Sequence, residues 1–193
     1  MAETLLSLGT GLGLSTAAGF NAYLPLLITG VLARTTDLIT LDAPLDRLEE
    51  PVVLGVIAAI GLVDFVGDKV PAIDHVLHAI GFVVAPIVGA GLALGATSDT
   101  GIAPVVALVV GAVAAEATQG ARAVARPLST VTTGGAGNPL LSLGEDGLSV
   151  TLSFAAIIVP LLAVVLVAGV VVLVVWALRR RRSIGERLSW RRS

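Results

Sequence analysis

Cut at its charged residues, the chain falls into five long apolar stretches separated by short polar ones. A helix needs about 20 apolar residues to cross a hydrocarbon core about 30 Å thick, so stretches of this length predict membrane-spanning helices. The first covers residues 5–32 and is interrupted at its centre by Ser15, Thr16, Gly19, Asn21 and Pro25, which predicts either a kinked span or a broken, re-entrant one. Residues 34–50, acidic and interrupted by proline, read as a surface loop with at most a short helix. The second span opens on Pro51, a residue suited to the first helical position, and runs to about Val70. Residues 71–74 read as a tight turn, with Asp74 as the N-cap of a third span from about His75 to Leu94 that contains Pro86. A polar loop at 97–101 precedes the fourth span, Ile102 to about Ala125. Residues 126–147, with Thr132, Thr133, three glycines and Asn138 at their centre, read as a flexible or membrane-entering stretch. The last segment, residues 148–178, is interrupted by Pro160; at 1.5 Å per residue it is longer than one span and too short for two.

The expected fold is therefore all-α, a multi-pass transmembrane helical bundle of about five apolar segments. Broken or re-entrant helices are expected near residues 15–25 and 130–147. Residues 1–178 form one transmembrane domain on this reading, and residues 179–193 a polybasic cytoplasmic tail. Small residues at helix-packing spacing, such as Gly9 with Gly13, Gly81 with Ala85 and Gly89, and Gly111 with Ala115, predict close helix contacts and a homo-oligomer.

Composition sharpens this picture. The chain has 193 residues, 55% hydrophobic and 13% charged, against about 45–50% and 25% in soluble domains, and its mean hydropathy is +0.97. These values exclude a soluble cytosolic enzyme, a disordered chain and a nucleic-acid-binding domain, so no nucleic acid is expected as a partner. Without cysteine there is no disulfide, thiolate nucleophile or cysteine metal site. The net charge of −2 hides an asymmetry: residues 179–193 hold seven arginines and one acid, and the rest holds five cations and thirteen acids. A basic tail after an apolar run marks the cytoplasmic end of a span. Arg179, Arg180, Arg181 and Arg182 can in addition touch anionic lipid headgroups, at about 1 kcal/mol each. The start of the chain lacks the positive n-region of a cleavable signal. Topology does not close, because a cytoplasmic tail and five simple spans leave Lys69 and Arg122 near the wrong face. Either a broken segment adds a half-crossing, or these cations are held inside the bundle.

Polar residues within spans carry the candidate chemistry, since each costs about 2.5–3.5 kcal/mol at mid-helix on insertion scales. Asp64 and Asp68 share a helix face, with Lys69 beside them, and Glu116, Gln119 and Arg122 share another. One reading is a set of ion pairs fastening helices; the other is a proton or ion path. Arg126 follows one turn after Arg122. The segments Ser15-Thr16-Ala17-Ala18-Gly19-Phe20-Asn21 and Thr132-Thr133-Gly134-Gly135-Ala136-Gly137-Asn138 have a similar composition, and paired unwound segments are a sequence pointer to a midplane binding site. Asp74, His75 and His78 cluster before the third span, without a second cluster to complete a metal shell. Glu145 and Asp146 suit the first turn of a helix or can join the site. No nucleophile–base pair, phosphate loop or dinucleotide loop is legible, so no catalytic residue, cofactor or resident metal is expected.

Three blocks carry a family likeness: Leu14 to Pro25, Asp68 to Asp74 with His78, and Thr132 to Pro139 with Glu145 and Asp146. Over most of residues 9–165 the sequence resembles DUF4126, a family of uncharacterised bacterial integral-membrane proteins. The resemblance implies a small multi-pass protein of the bacterial cytoplasmic (inner) membrane and joins the three blocks in one site. A single lysine beside eleven arginines also fits a GC-rich genome. The function expected is a small transporter or channel-like protein for an unidentified solute or ion, binding an anionic or zwitterionic solute coupled to protonation of a buried acid. The alternatives are a non-transporting scaffold or partner-binding subunit, and a lipid-acting intramembrane enzyme.

Overall fold

A computed structural model of the chain describes residues 2–42, 45–67, 71–169, 171, 172 and 176, with only the backbone for residues 71, 72, 74 and 75. The described residues are mostly helical, without strands: α1 Ala2–Phe20, α2 Tyr23–Thr35, α3 Pro51–Gly67, α4 Pro71–Ala96, α5 Pro104–Thr133 and α6 Asn138–Ile158, then α7 Pro160–Gly169. Three of these, from Val76 in α4 and the whole of α5 and α6, are long and apolar enough to cross a membrane; α2, α3 and α7 are shorter apolar helices. Valines and isoleucines point outward along α3, α4 and α5 (Val52, Val63, Val83, Ile87 and Val113 are all more than 60% exposed). Such a surface is stable only against lipid, and the chain is a membrane protein.

The centre of the bundle is α1, which packs against α4, α5 and α6. Its residues from Gly13 to Phe20 are buried on every side, with Gly9 and Gly11 before them. Small side chains make this possible, because backbones approach closely only where no Cβ intervenes. A Cβ at Gly19 would overlap the Ala115 carbonyl of α5, and one at Gly111 would overlap the Gly89 carbonyl of α4. Leu14, Ala18, Leu92 and Ala156 fill the dry centre.

The interruptions were expected, but their positions are sharper and in two places different. The first apolar stretch is two helices. The break falls at Asn21 and Ala22, where Asn21 Oδ1 accepts the amide protons of Tyr23 (3.0 Å) and Leu24 (3.2 Å) and so opens α2. The chain then turns back: Tyr23 meets Asp64 and His78 at one end of the bundle, and residues 38–40 meet Ser7 and Thr10 at the other. The supposed loop at 126–147 is mostly helix. Thr130, Thr132 and Thr133 bond back to the carbonyls of Arg126, Leu128 and Ser129, and α5 ends only where Gly134 and Gly135 adopt positive φ (63° and 89°). The next helix accordingly begins at Asn138, ten residues before the expected start of the last segment, and stops at Val159 before Pro160. Pro160 has no N–H for the Ala156 carbonyl, and Thr10 Oγ1 supplies the missing donor at 2.9 Å. Residues 71–74 are the first turn of α4 rather than a separate turn, so Asp74 lies inside the helix and is not its cap.

Candidate functional site

One end of the bundle collects the polar side chains. The C-terminus of α1, the end of α3, the start of α4, the second half of α5 and the first half of α6 all arrive there, because α1 and α3 run towards it and α4 and α6 away from it.

Glu145 of α6 is 5% exposed and receives two cations from α5 on one oxygen: Arg126 Nη2 at 2.7 Å and Arg122 Nε at 3.0 Å. The two arginines are four apart, hence on one helix face, and reach the same carboxylate. Arg122 also donates to Gln119 Oε1 at 2.9 Å. Gln119, 1% exposed, donates through Nε2 to the His78 carbonyl at 3.2 Å and lies 3.5 Å from His78 Nδ1. This approach requires Gly81, since a Cβ there would overlap the Gln119 amide. The His78 ring stands edge-on to Phe82, 5.4 Å between centroids.

The α1 break joins the same network. Asn21 Nδ2 donates to Asp146 Oδ1 at 2.9 Å, while Ser149 Oγ spans the Ala17 and Asn21 carbonyls at 3.0 and 3.2 Å. At this helix interruption the hydroxyl gives the Asn21 carbonyl a donor that lipid would not supply, and it adds to the Asn21 amide that the Ala17 carbonyl already accepts at 3.0 Å.

Three cavities border this region or face it from the other end. A small one of about 30 Å³, room for a water molecule or two, is lined by Asn21, Tyr23, Asp64, His78, Gln119 and Arg122 among others. A larger one of about 370 Å³ lies between α4, α5 and α6 and also touches His78, with Arg126, Thr130 and Asn138. The third, about 230 Å³, opens at the opposite end beside Ser7, Thr10, Thr40, Ser98 and Asp99. Between the two ends stands the layer of Leu14, Ala18 and Leu92.

Several expected site residues therefore meet: Asn21, Asp64, His78, Gln119, Arg122, Arg126, Glu145 and Asp146. Arg122 is one of the two cations that fitted no simple topology, and it is held inside the bundle against Glu145. Others stand apart. Ser15 Oγ bonds the Gly11 and Gly89 carbonyls (both 2.7 Å), and Thr16 Oγ1 the Leu12 carbonyl at 2.7 Å, so both serve helix packing. Thr132 and Thr133 are exposed and bonded to their own helix; Asn138 donates to Thr130 Oγ1 at 2.9 Å. The two similar small-polar segments thus do not pair around one centre: the first is buried core and the second an exposed helical turn. Glu116 is half-buried, one turn before Gln119, and its Oε2 has no hydrogen-bond partner among the described residues. Asp68, Lys69 and the side chains of Asp74 and His75 lie outside the described residues, as do Arg179, Arg180, Arg181 and Arg182. Among the described residues, no three His, Asp or Glu side chains are grouped to hold a metal.

Sequence reasoning placed neither Tyr23 nor Ser149 at the site, and named Gly81 only for its helix-packing spacing with Ala85 and Gly89. A signal for Ser149 was present, since Ser142, Glu145, Ser149, Leu152 and Ala156 recur at three- and four-residue spacing and form the buried face of α6. That spacing marks Gly81 as a helix-packing position but does not say that Gln119 is what approaches it.

In comparison with known proteins, the family model of DUF4126, a domain of unknown function, matches residues 8–180. No curated protein and no solved structure matches the chain.

Proposed function

The chain belongs to the DUF4126 family, whose description names no activity, and from the geometry we propose a small membrane transporter or channel-like protein for a small polar solute or ion. The observation that carries this reading is the pair of polar cavities at opposite ends of the bundle, separated by the packed layer of Leu14, Ala18 and Leu92. A gated path has this form, with an inner chamber, an opposite vestibule and a dry layer that must part between them. Around the inner chamber Arg122, Gln119 and Asn21 can hold an anionic or zwitterionic group once the chamber widens, with Asp64 in its wall and Glu116 one turn before Gln119 as the carboxyl groups able to carry a proton through an apolar setting. The bacterial cytoplasmic membrane, with the tail on the cytoplasmic side, belongs to the same reading on the support of the seven arginines in residues 179–193. So does a homo-oligomer, supported by Gly120, Gly144 and Gly147, at which an added Cβ would meet nothing.

The test is flux in proteoliposomes of the full chain, with pyranine inside for protons and light scattering for acetate and glycine. Protein-containing vesicles should exceed empty ones for at least one probe. Asp64→Asn, Arg122→Gln and Glu116→Gln should lower that flux by about tenfold or more, the equivalent of one lost charge-assisted hydrogen bond. Flux equal to that of empty vesicles for every probe, or unaltered in all three variants, refutes the reading. One set of observations favours a scaffold instead: the Arg122–Glu145–Arg126 cluster and the Asn21–Asp146 bond each tie two elements together. A scaffold predicts that the same substitutions lower stability with no solute dependence at all.

A further inference from the structure

The 370 Å³ cavity is unlike the inner chamber. Its walls are mainly apolar surface, with Ala123, Pro127 and Val131 of α5, and four polar residues join them: His78, Arg126, Thr130 and Asn138. At 1.5 Å per residue the 30 residues of α5 extend about 45 Å, the thickness of a bilayer with its headgroups. Arg126 and the turns after it therefore stand at the boundary between acyl chains and headgroups, and the cavity opens there.

Its polar side is a built one. Arg126 is 9% exposed and held in place by Glu145 at 2.7 Å. Thr130 Oγ1 donates to the Arg126 carbonyl at 3.1 Å and accepts Asn138 Nδ2 at 2.9 Å, which links the α5 turn to the start of α6. Asn138 Oδ1 is buried and has no donor among the described residues. A buried amide oxygen without a donor is costly, and Asn138 is one of the residues that line the cavity. Arg126 is the cation that lines the cavity.

From these features we propose that the cavity is a binding site for an anionic phospholipid whose headgroup carries free hydroxyls. The phosphate lies against Arg126, where a charge-assisted bond suits it. A headgroup hydroxyl donates to Asn138 Oδ1 after rotation of the amide into the cavity. An acyl chain runs along Ala123, Pro127 and Val131. Basic pockets between spans at this depth are the kind that take acidic headgroups. The assignment rests on the membrane character of the chain and not on transport, and it is distinct from any contact made by the C-terminal arginines.

Native mass spectrometry of the full chain, released from detergent with defined lipids, tests this. Phosphatidylglycerol should be retained as one tight adduct, about tenfold or more more strongly than phosphatidylcholine. Phosphatidic acid, with no headgroup hydroxyl, should rank between them, and Asn138→Leu should remove the preference for phosphatidylglycerol over it. Val131→Trp fills the cavity from its rim. Val131 is 84% exposed, so the change leaves the packed core alone, and circular dichroism verifies helix content. It should abolish the tight adduct, with Val131→Phe reducing it. Binding by the arginine tail is common to both chains and drops out of the comparison. Equal retention of phosphatidylglycerol and phosphatidylcholine, or an adduct unchanged in Val131→Trp, overturns the proposal. Displacement of the lipid by glycerol 1-phosphate alone, at concentrations equal to the lipid's, would assign the site to a free phosphate ester and overturn it as well.

Discussion

Glu145→Gln is the sharpest probe of how this bundle holds its polar core. The substitution keeps the shape of the side chain and removes the charge that Arg126 and Arg122 reach on one oxygen at 2.7 and 3.0 Å. All three side chains are close to nine-tenths buried, at 6% exposure for Glu145 and 11–12% for the arginines. Solvent screening is therefore slight, and removal of one partner from such a cluster costs about 3–5 kcal/mol. That is a shift of two to four powers of ten in the folding constant, at about 1.4 kcal/mol per tenfold. The assay is reversible unfolding in mixed micelles by titration with SDS, followed by circular dichroism. Arg126→Gln combined with Glu145→Gln should recover part of the loss, because the unpaired charge goes with its partner; the cycle should show coupling of about 1–3 kcal/mol. A loss below about 1 kcal/mol for Glu145→Gln, or strictly additive effects, would mean that water reaches these groups and that the cluster is not the structural centre of this end.

Three further outcomes follow from particular contacts. Gly19→Ala drives a methyl into the Ala115 carbonyl and the Thr118 side chain; it should cost about 1–3 kcal/mol by the same unfolding assay, against little change for Gly55→Ala, where the added carbon meets nothing. Ser149→Ala leaves the Ala17 and Asn21 carbonyls without their shared donor and should cost about 1–3 kcal/mol, with faster hydrogen exchange at the start of α2, while Thr132→Val on the exposed turn should stay within about 0.5 kcal/mol. Gly81→Ala pushes the Gln119 amide off the His78 carbonyl; it should cost only about 1 kcal/mol yet alter flux through the inner chamber, and unchanged flux with normal folding would remove Gln119 from the path.

The residues of the site were more legible than their arrangement. Arg122, Arg126, Glu145, Asn21 and Asp146 stood out because an ionisable or amide side chain in an apolar helix needs a partner. Which partner it finds depends on how helices far apart in sequence are rotated against one another. Asn21 and Asp146 are 125 positions apart, and no local pattern joins them. The two hydroxyl-rich segments show the converse. Thr132 and Thr133 resemble Ser15 and Thr16 in composition, yet hydroxyls that bond back to their own helix carbonyls stabilise an ordinary helix end as readily as they line a site.

By itself the sequence determined that the chain is helical and membrane-embedded, since lipid forces every backbone polar group to be satisfied within a segment and long apolar runs leave no other solution. It also marked the regions where helices break, within residues 15–25 and 126–147 and at Pro160, because proline, glycine and a capping amide act on their own neighbours. Only the tertiary structure decided that α2 folds back beside α1, that two arginines share one carboxylate, and that Gly81 admits Gln119. Those outcomes depend on the close approach of backbones that small residues permit along α1, α4 and α5, a contact between surfaces that no single helix encodes.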